Sequence, residues 1–125
     1  MIEYSEAPGV KRLVDDIVDR LGLFHIVPQF IYCYRSKGSK SKYAIARIHG
    51  LSKAWQRALR EPPSYIIEVI SERYDMLSEG EKQRIIIHEL LHIPKTFSGG
   101  LRPHNTFFHN QILKEMAEAQ KRGLK

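Results

Sequence analysis

The sequence predicts a single α+β domain, because two periodicities of apolar residues alternate along its 125 residues without a linker between them. Helical spacing is found near both ends and in the segment from 79 to 93, and short runs rich in β-branched and aromatic residues lie between. Hydrophobic residues make up 42% of the chain, too many for a disordered segment. We therefore expect residues 1–125 to fold around one core.

The first half of the chain predicts a helix, a hairpin and a second short helix. Apolar residues recur at intervals of three and four from Val10 to Leu21, and Gly22 follows as a stop signal. The extended runs Pro28–Tyr34 and Tyr43–Ile48 flank a Lys-rich turn and predict a β-hairpin. Helical spacing returns in the segment 51–59.

The second half predicts a strand followed by two helices. The strand is Tyr65–Ile70, and the two prolines before it suit a strand start or an edge strand. A capping box of Ser78 and Glu81 begins a helix whose spacing continues through Ile93. A last helix is predicted from about His104 to Gln120.

The composition also indicates the environment of the chain. Its most apolar stretch, Leu21–Tyr34, is shorter than the roughly 20 residues of a membrane span, and the acidic N-terminus does not resemble a secretory signal. We therefore expect a cytoplasmic protein with no membrane partner. The single Cys33 lies in an apolar run and is expected to be a small buried residue.

Positive charge is concentrated in one segment of the chain. The net charge is +6, and no acidic residue occurs between Asp19 and Glu61. Such a segment suits contact with nucleic acid or DNA-bound protein, although an ordinary solvated surface would have the same composition. The candidate nucleic-acid contacts are Arg35, Lys37, Lys40 and Lys42.

The capped helix contains an H-E-x-x-H motif at residues 88–92. His88 and His92 are four residues apart, so both imidazoles leave one helix face and can bind one zinc ion. Glu89 lies beside them, close enough to hold a zinc-bound water without binding the metal itself. The apolar residues around the motif fall on the opposite side and can anchor the helix in the core.

A catalytic zinc site needs a third protein ligand besides these two histidines. Pro94 and the Gly99-Gly100 pair predict a chain reversal that could return His104 to the metal. The sequence therefore favours His104, and the other candidates are His109 and Glu115.

The stretches 77–95 and 99–104 resemble the phage and archaeal metallopeptidase family of small zincins, and more distantly SprT-like proteases and minigluzincins. The resemblance extends over roughly 44–113. It implies a compact zincin with an N-terminal helix, a small mixed sheet, an active-site helix and a C-terminal helix. In SprT-like proteins the third His is followed four residues later by Phe, as His104 is by Phe108, but Asn105 replaces the usual Gly. Minigluzincins use a Glu instead, which keeps Glu115 open.

These observations predict a zinc-dependent metallopeptidase. Zinc would polarise the scissile carbonyl, and Glu89 would act as general base on the zinc-bound water. The strand Tyr65–Ile70, taken as an edge, could bind the substrate backbone as an added strand. Tyr65, Tyr74 and His109 are candidates for stabilising the oxyanion.

Two alternatives remain at this level. The chain could be a nucleic-acid-associated binding module whose metal site is structural or vestigial. It could also be a processing peptidase directed at one partner, which would share the same chemistry. If the chain is a general or a processing peptidase, the segment Met1–Gly9 could lie across the active-site cleft and restrain activity.

Overall fold

The structure is a computed structural model that describes residues 1–104, 110, 111, 114, 117 and 121. Helices and a four-stranded mixed sheet form an α+β fold, as the sequence predicts. The strands are β1 (Glu3–Glu6), β2 (Ile31–Lys37), β3 (Ala46–Gly50) and β4 (Tyr65–Ile70). The helices are α1 (Pro8–Arg20), α2 (Lys53–Leu59), α3 (Ser71–Tyr74) and α4 (Glu79–Leu90), with a 3₁₀ turn at Pro28–Phe30.

The first helix confirms its prediction. Pro8 is its first residue, where the missing N–H costs no hydrogen bond. Val14 and Ile17 are fully buried on the face that packs toward the sheet. The chain turns away at Gly22, whose φ of +62° is a left-handed conformation that glycine adopts without strain.

The predicted hairpin between the second and third strands is wrong. The sheet order is β1-β2-β4-β3, so β4 lies between them and pairs parallel with β2 and antiparallel with β3. β4 is the most deeply buried strand: every residue except Ile66 is buried, and Tyr65, Ile67 and Val69 belong to the core. Burial of this apolar strand therefore outweighs the proximity of β2 and β3 along the chain.

Tyr65–Ile70 is consequently a central strand, like β2, rather than an edge strand. The two prolines before it, which suit either a strand start or an edge strand, mark its start. The edges are β3 and β1, and β1 was not predicted because all four of its residues are exposed and carry no apolar alternation. The segment Met1–Gly9 thus contributes an edge strand on the side of the sheet away from β3.

The capping box at the start of α4 is present as predicted. Ser78 Oγ accepts the Glu81 backbone N–H at 3.2 Å, and Glu81 Oε1 accepts the Ser78 N–H at 2.9 Å. Ile86 and Leu90 are fully buried, and the helix packs against β3 and α1. The α-helix ends at Leu90, three residues earlier than predicted, because the chain tightens into i→i−3 hydrogen bonds ahead of Pro94.

Two expectations about the environment can be compared with the structure. Cys33 is buried, and burial raises the pKa of its thiol to about 12, so it behaves as a small apolar residue. Among the described residues, no helix is long and apolar enough to cross a membrane. The predicted last helix lies largely outside the described residues, although positions 110, 111, 114, 117 and 121 are helical and His104 precedes them in irregular backbone.

Candidate metal centre

The two motif histidines leave the C-terminal end of α4 on the same side. His88 lies in the last turn and is partly exposed, whereas His92 lies just beyond the helix and is 8% exposed. Their ring centroids are 5.2 Å apart, as the spacing of four residues predicts. The short 3₁₀-type turn after Leu90, with the His92 N–H bonded to Glu89 O, keeps His92 in register with His88.

The orientation of the His92 ring is set by the returning chain. His92 Nδ1 lies 2.7 Å from the carbonyl oxygen of Arg102, and because a carbonyl can only accept, Nδ1 must carry the proton. Nε2 is then the unprotonated nitrogen, which is the arrangement that metal-binding histidines use. The Arg102 N–H also donates to His92 O at 2.7 Å, so two hydrogen bonds join these segments.

This reversal brings His104 to the motif. His104 Nε2 lies 2.9 Å from His88 Nε2 and 3.2 Å from His92 Nε2, and the three residues form a group that could hold a metal ion. Nitrogen ligands of a tetrahedral zinc sit about 2.0–2.1 Å from the metal, and hence roughly 3.3 Å from one another. The spacing and the chemistry of the three imidazoles therefore fit such an ion.

The protonation of the motif histidines suits metal binding. Burial, with the neighbouring His92 and His104, lowers the pKa of His88 to about 4. Burial also lowers the pKa of His92, and its hydrogen bond to the Arg102 carbonyl only partly opposes this. Both rings are therefore neutral at neutral pH, the form that coordinates metals.

Glu89 is a buried carboxylic acid beside this cluster. It is 9% exposed, and its Oε2 lies 4.0 Å from His88 Nε2. Burial raises the pKa of Glu89 to about 7. Among the described residues, the group that could hold a metal ion contains the three histidines and not Glu89.

Tyr65 lies against the turn that leads to His104, with its hydroxyl bonded to the backbone of Gly99 and Gly100. The sequence predicts that Tyr65 contacts the substrate or the oxyanion. In the structure, its hydroxyl forms two hydrogen bonds to the backbone of the same chain. Gln56, which also holds this turn, was not predicted. Gln56 lies 42 residues before Ser98 in the sequence, so no local pattern indicates that the two will meet.

Tyr74 is not near the histidine cluster. It is 3% exposed, and Lys82 Nζ lies 5.4 Å from its ring centre. Lys82 precedes His88 by six residues, which is about 9 Å along a helix. Tyr74 therefore packs near the opposite end of α4, and its predicted oxyanion role is not supported by this position. His109 and Glu115 lie outside the described residues.

A second buried carboxylate, Glu68, lies on the face of the sheet away from the core. Its Oε2 accepts the Ser36 hydroxyl at 2.6 Å, and its Oε1 lies 2.8 Å from His49 Nε2 and 4.0 Å from Arg47 Nε. Burial alone would raise the pKa of Glu68, but the hydrogen bonds from Ser36 and His49 and the charge of Arg47 outweigh it and lower the pKa. His49 thus has a partner in the sheet rather than in the histidine cluster.

The candidate nucleic-acid residues do not act as one group. Arg35 bonds to Asp75, with its Nη1 2.8 Å from Oδ2, and to the Ser71 hydroxyl. The three lysines at 37, 40 and 42 are exposed at the end of β2 and in the loop after it. Contact with DNA stays a prediction.

Comparison with known proteins identifies one family. The model of a family described as "Putative phage metallopeptidase" matches residues 2–124. No curated protein and no solved structure matches the chain significantly.

Proposed function

Because the chain belongs to the phage metallopeptidase family, we propose that it is a zinc-dependent peptidase that hydrolyses peptide bonds. The observation that carries this proposal is the close approach of three histidine nitrogens beside the buried Glu89. A metal site with three protein ligands keeps a position open, which is typical of catalytic rather than structural zinc.

His88, His92 and His104 are the proposed zinc ligands. Three neutral imidazoles suit zinc better than magnesium or calcium, which prefer oxygen ligands. When bound, zinc supplies Lewis-acid chemistry, because it polarises a carbonyl and lowers the pKa of water.

Glu89 is the proposed general base. Its carboxylate accepts a proton from the attacking water and then donates that proton to the amine that leaves when the peptide bond breaks. Burial raises the pKa of Glu89 to about 7 in the metal-free protein, which makes its carboxylate a stronger proton acceptor than an exposed glutamate. Its burial keeps bulk water from competing for the proton.

We propose that the substrate backbone pairs with β3 rather than with Tyr65–Ile70. Within the described part of the chain, β3 pairs with β4 along one side only, so its other side can accept an extended peptide. α4 packs against β3, which brings this edge close to the helix that carries the motif.

The first test is the zinc content of metal-reconstituted protein, measured by elemental analysis. We expect one zinc per wild-type chain and little or none in His92→Ala and His104→Ala. The matched control is His49→Ala, which removes a histidine that lies in the Glu68 network instead of the cluster and should leave the zinc content unchanged.

Cleavage of a peptide library by the zinc-loaded protein tests the reaction itself. If wild-type protein binds no zinc, the proposal of a zinc-dependent peptidase is wrong. Full zinc content in His104→Ala would shift the third ligand to Glu115 or His109. Protein that binds zinc and cleaves no peptide would instead favour a binding module with a structural metal.

A further inference from the structure

The turn between His92 and His104 is held by side chains from two distant elements. Gly99 occupies the middle of this turn with a φ of +93°, a left-handed conformation open to glycine. Five residues later the chain reaches His104. The position of the turn therefore decides where the third imidazole lies.

Tyr65, the first residue of the central strand, bonds to this turn through its hydroxyl. The hydroxyl accepts the Gly99 N–H at 2.8 Å and donates to the Gly100 carbonyl at 2.8 Å. Tyr65 is 1% exposed, and its ring contacts Phe97 edge-on at 5.1 Å between centroids. One buried side chain on an interior strand thus satisfies two backbone groups of the turn.

Gln56 on α2 holds the same turn from its other side. Its Nε2 donates to Ser98 O at 2.9 Å and to Leu51 O at 2.6 Å. The amide therefore joins the turn to the segment that links β3 and α2. Tyr65 and Gln56 together bond three consecutive residues, 98 to 100.

The backbone of Gly99 lies against the backbone of Gly50 and Leu51, with no room for a side chain between them. A Cβ on Gly50 would overlap Gly99 O, and a Cβ on Gly99 would overlap Leu51 O. These contacts fix the turn against the end of β3. The turn can hardly shift unless the strand shifts with it.

We propose that Tyr65, assisted by Gln56, is a positioning residue that places His104 against His88 and His92. It does so through the backbone of the turn and touches neither metal nor substrate. The inference rests on the proposed zinc site and adds to it the groups that hold the third ligand in place. Hydrogen bonds that orient metal ligands tune metal affinity, and here the two hydroxyl bonds act through the backbone that carries His104.

The test is the zinc affinity of Tyr65→Phe, measured by competition with a chromophoric chelator. We expect zinc to bind about tenfold more weakly than to wild type, because the turn loses both hydroxyl bonds. The matched control is Tyr74→Phe, an equally buried tyrosine near the other end of α4, which should bind zinc as wild type does. Circular dichroism of the zinc-free proteins reports how much of each variant is folded.

A spectroscopic measurement separates positioning from a merely structural role. In cobalt-substituted protein, the visible d–d bands report the number and geometry of the ligands. We expect weaker, shifted bands in folded Tyr65→Phe and wild-type bands in Tyr74→Phe. A loss of zinc affinity that matches only the loss of folded protein, with unchanged cobalt bands, would overturn the inference.

Gln56→Met gives a second route if Tyr65→Phe does not fold. It removes the amide donors at a half-buried helix position and keeps the length of the side chain. We expect the same weakening of zinc binding and the same direction of change in the cobalt bands. Wild-type zinc affinity in the folded variants would overturn this inference alone, whereas a wild type without zinc would contradict the proposed function.

Discussion

Two glutamates of this protein are almost equally buried, but their pKa values are shifted in opposite directions. Glu68 is 4% exposed and Glu89 is 9% exposed. The pKa of Glu68 is lowered, because donors from Ser36 and His49 and the charge of Arg47 outweigh its burial. The pKa of Glu89 is raised to about 7, and burial is the cause.

The difference teaches that burial by itself does not reveal what a carboxylate does. The donors around Glu68 hold it as a charged link between β2, β3 and β4. The surroundings of Glu89 exclude water without favouring the charged form, and they leave it next to three histidines. A buried acid whose desolvation is uncompensated is a candidate for chemistry, and one with matched donors is a candidate for structure.

The largest expected effect separates the two glutamates by activity. Glu89→Gln should lower kcat/KM for peptide hydrolysis by about 10²–10⁴-fold, because the amide cannot accept the proton of the attacking water. Glu68→Gln should change it by less than about threefold, since that side chain lies on the other face of the sheet. Peptide cleavage by both zinc-loaded variants measures this. Equal losses of kcat/KM in the two variants would contradict the assignment of the general base to Glu89.

Stability of the zinc-free protein should show the reverse order. Glu68→Gln should lower the free energy of unfolding by about 1–3 kcal/mol, because two charge-assisted hydrogen bonds become neutral ones. Glu89→Gln should leave that free energy unchanged or raise it, since it removes a buried ionisable group whose charged form is poorly solvated. Urea unfolding of both variants tests the order, and a larger loss in Glu89→Gln would contradict it.

The lowered pKa of Glu68 also predicts a pH dependence. Ionised Glu68 stabilises the folded state above its unfolded pKa, near the ordinary value of 4.5, and this contribution is lost as the pH falls below 4.5 through the folded pKa. The stability difference between wild type and Glu68→Gln should therefore be full at neutral pH and shrink on acidification. Urea unfolding at a series of pH values from about 7 to 3 measures it. A constant difference would show that the charge of Glu68 is not what stabilises the sheet.

The smallest expected effect concerns one donor of the network. Ser36→Ala removes the hydroxyl that donates to Glu68 Oε2, so the pKa of Glu68 should rise and unfolding should cost about 1 kcal/mol less. NMR titration of the carboxyl carbons reports the pKa, and urea unfolding reports the stability. The zinc content should equal that of wild type, and a loss of zinc would mean that the two regions are coupled.

Much of the local structure could be predicted from the sequence. The first helix, predicted over Val10–Leu21, follows from apolar periodicity, and the helix from Glu79 follows from periodicity and its capping box. The order of the strands could not be predicted in this way. It depends on which strand gains most from an interior position in the sheet, and that strand, β4, begins 28 residues after β2 ends.

The candidate site divides in the same manner. His88, Glu89 and His92 are neighbours on one helix, so their spacing already predicts a shared face. The approach of His104 was expected from the Pro and Gly residues before it, but its distance to the other two depends on the turn that Tyr65 and Gln56 hold. The Tyr65 contact joins two residues that are 34 positions apart, and the Gln56 contact joins two that are 42 positions apart. Apolar periodicity within one segment cannot predict contacts over such separations.

The sequence by itself determined the α+β class, the helices at Pro8 and Glu79 and the common face of the two motif histidines, because each of these depends on residues within a few turns of one another. Only the tertiary structure decided that Tyr65–Ile70 is the centre of the sheet, that β3 is the edge beside α4, and that the Tyr65 hydroxyl bonds the turn before His104. These outcomes depend on burial and hydrogen bonds between distant segments, whose energies are set by the packing of the whole domain.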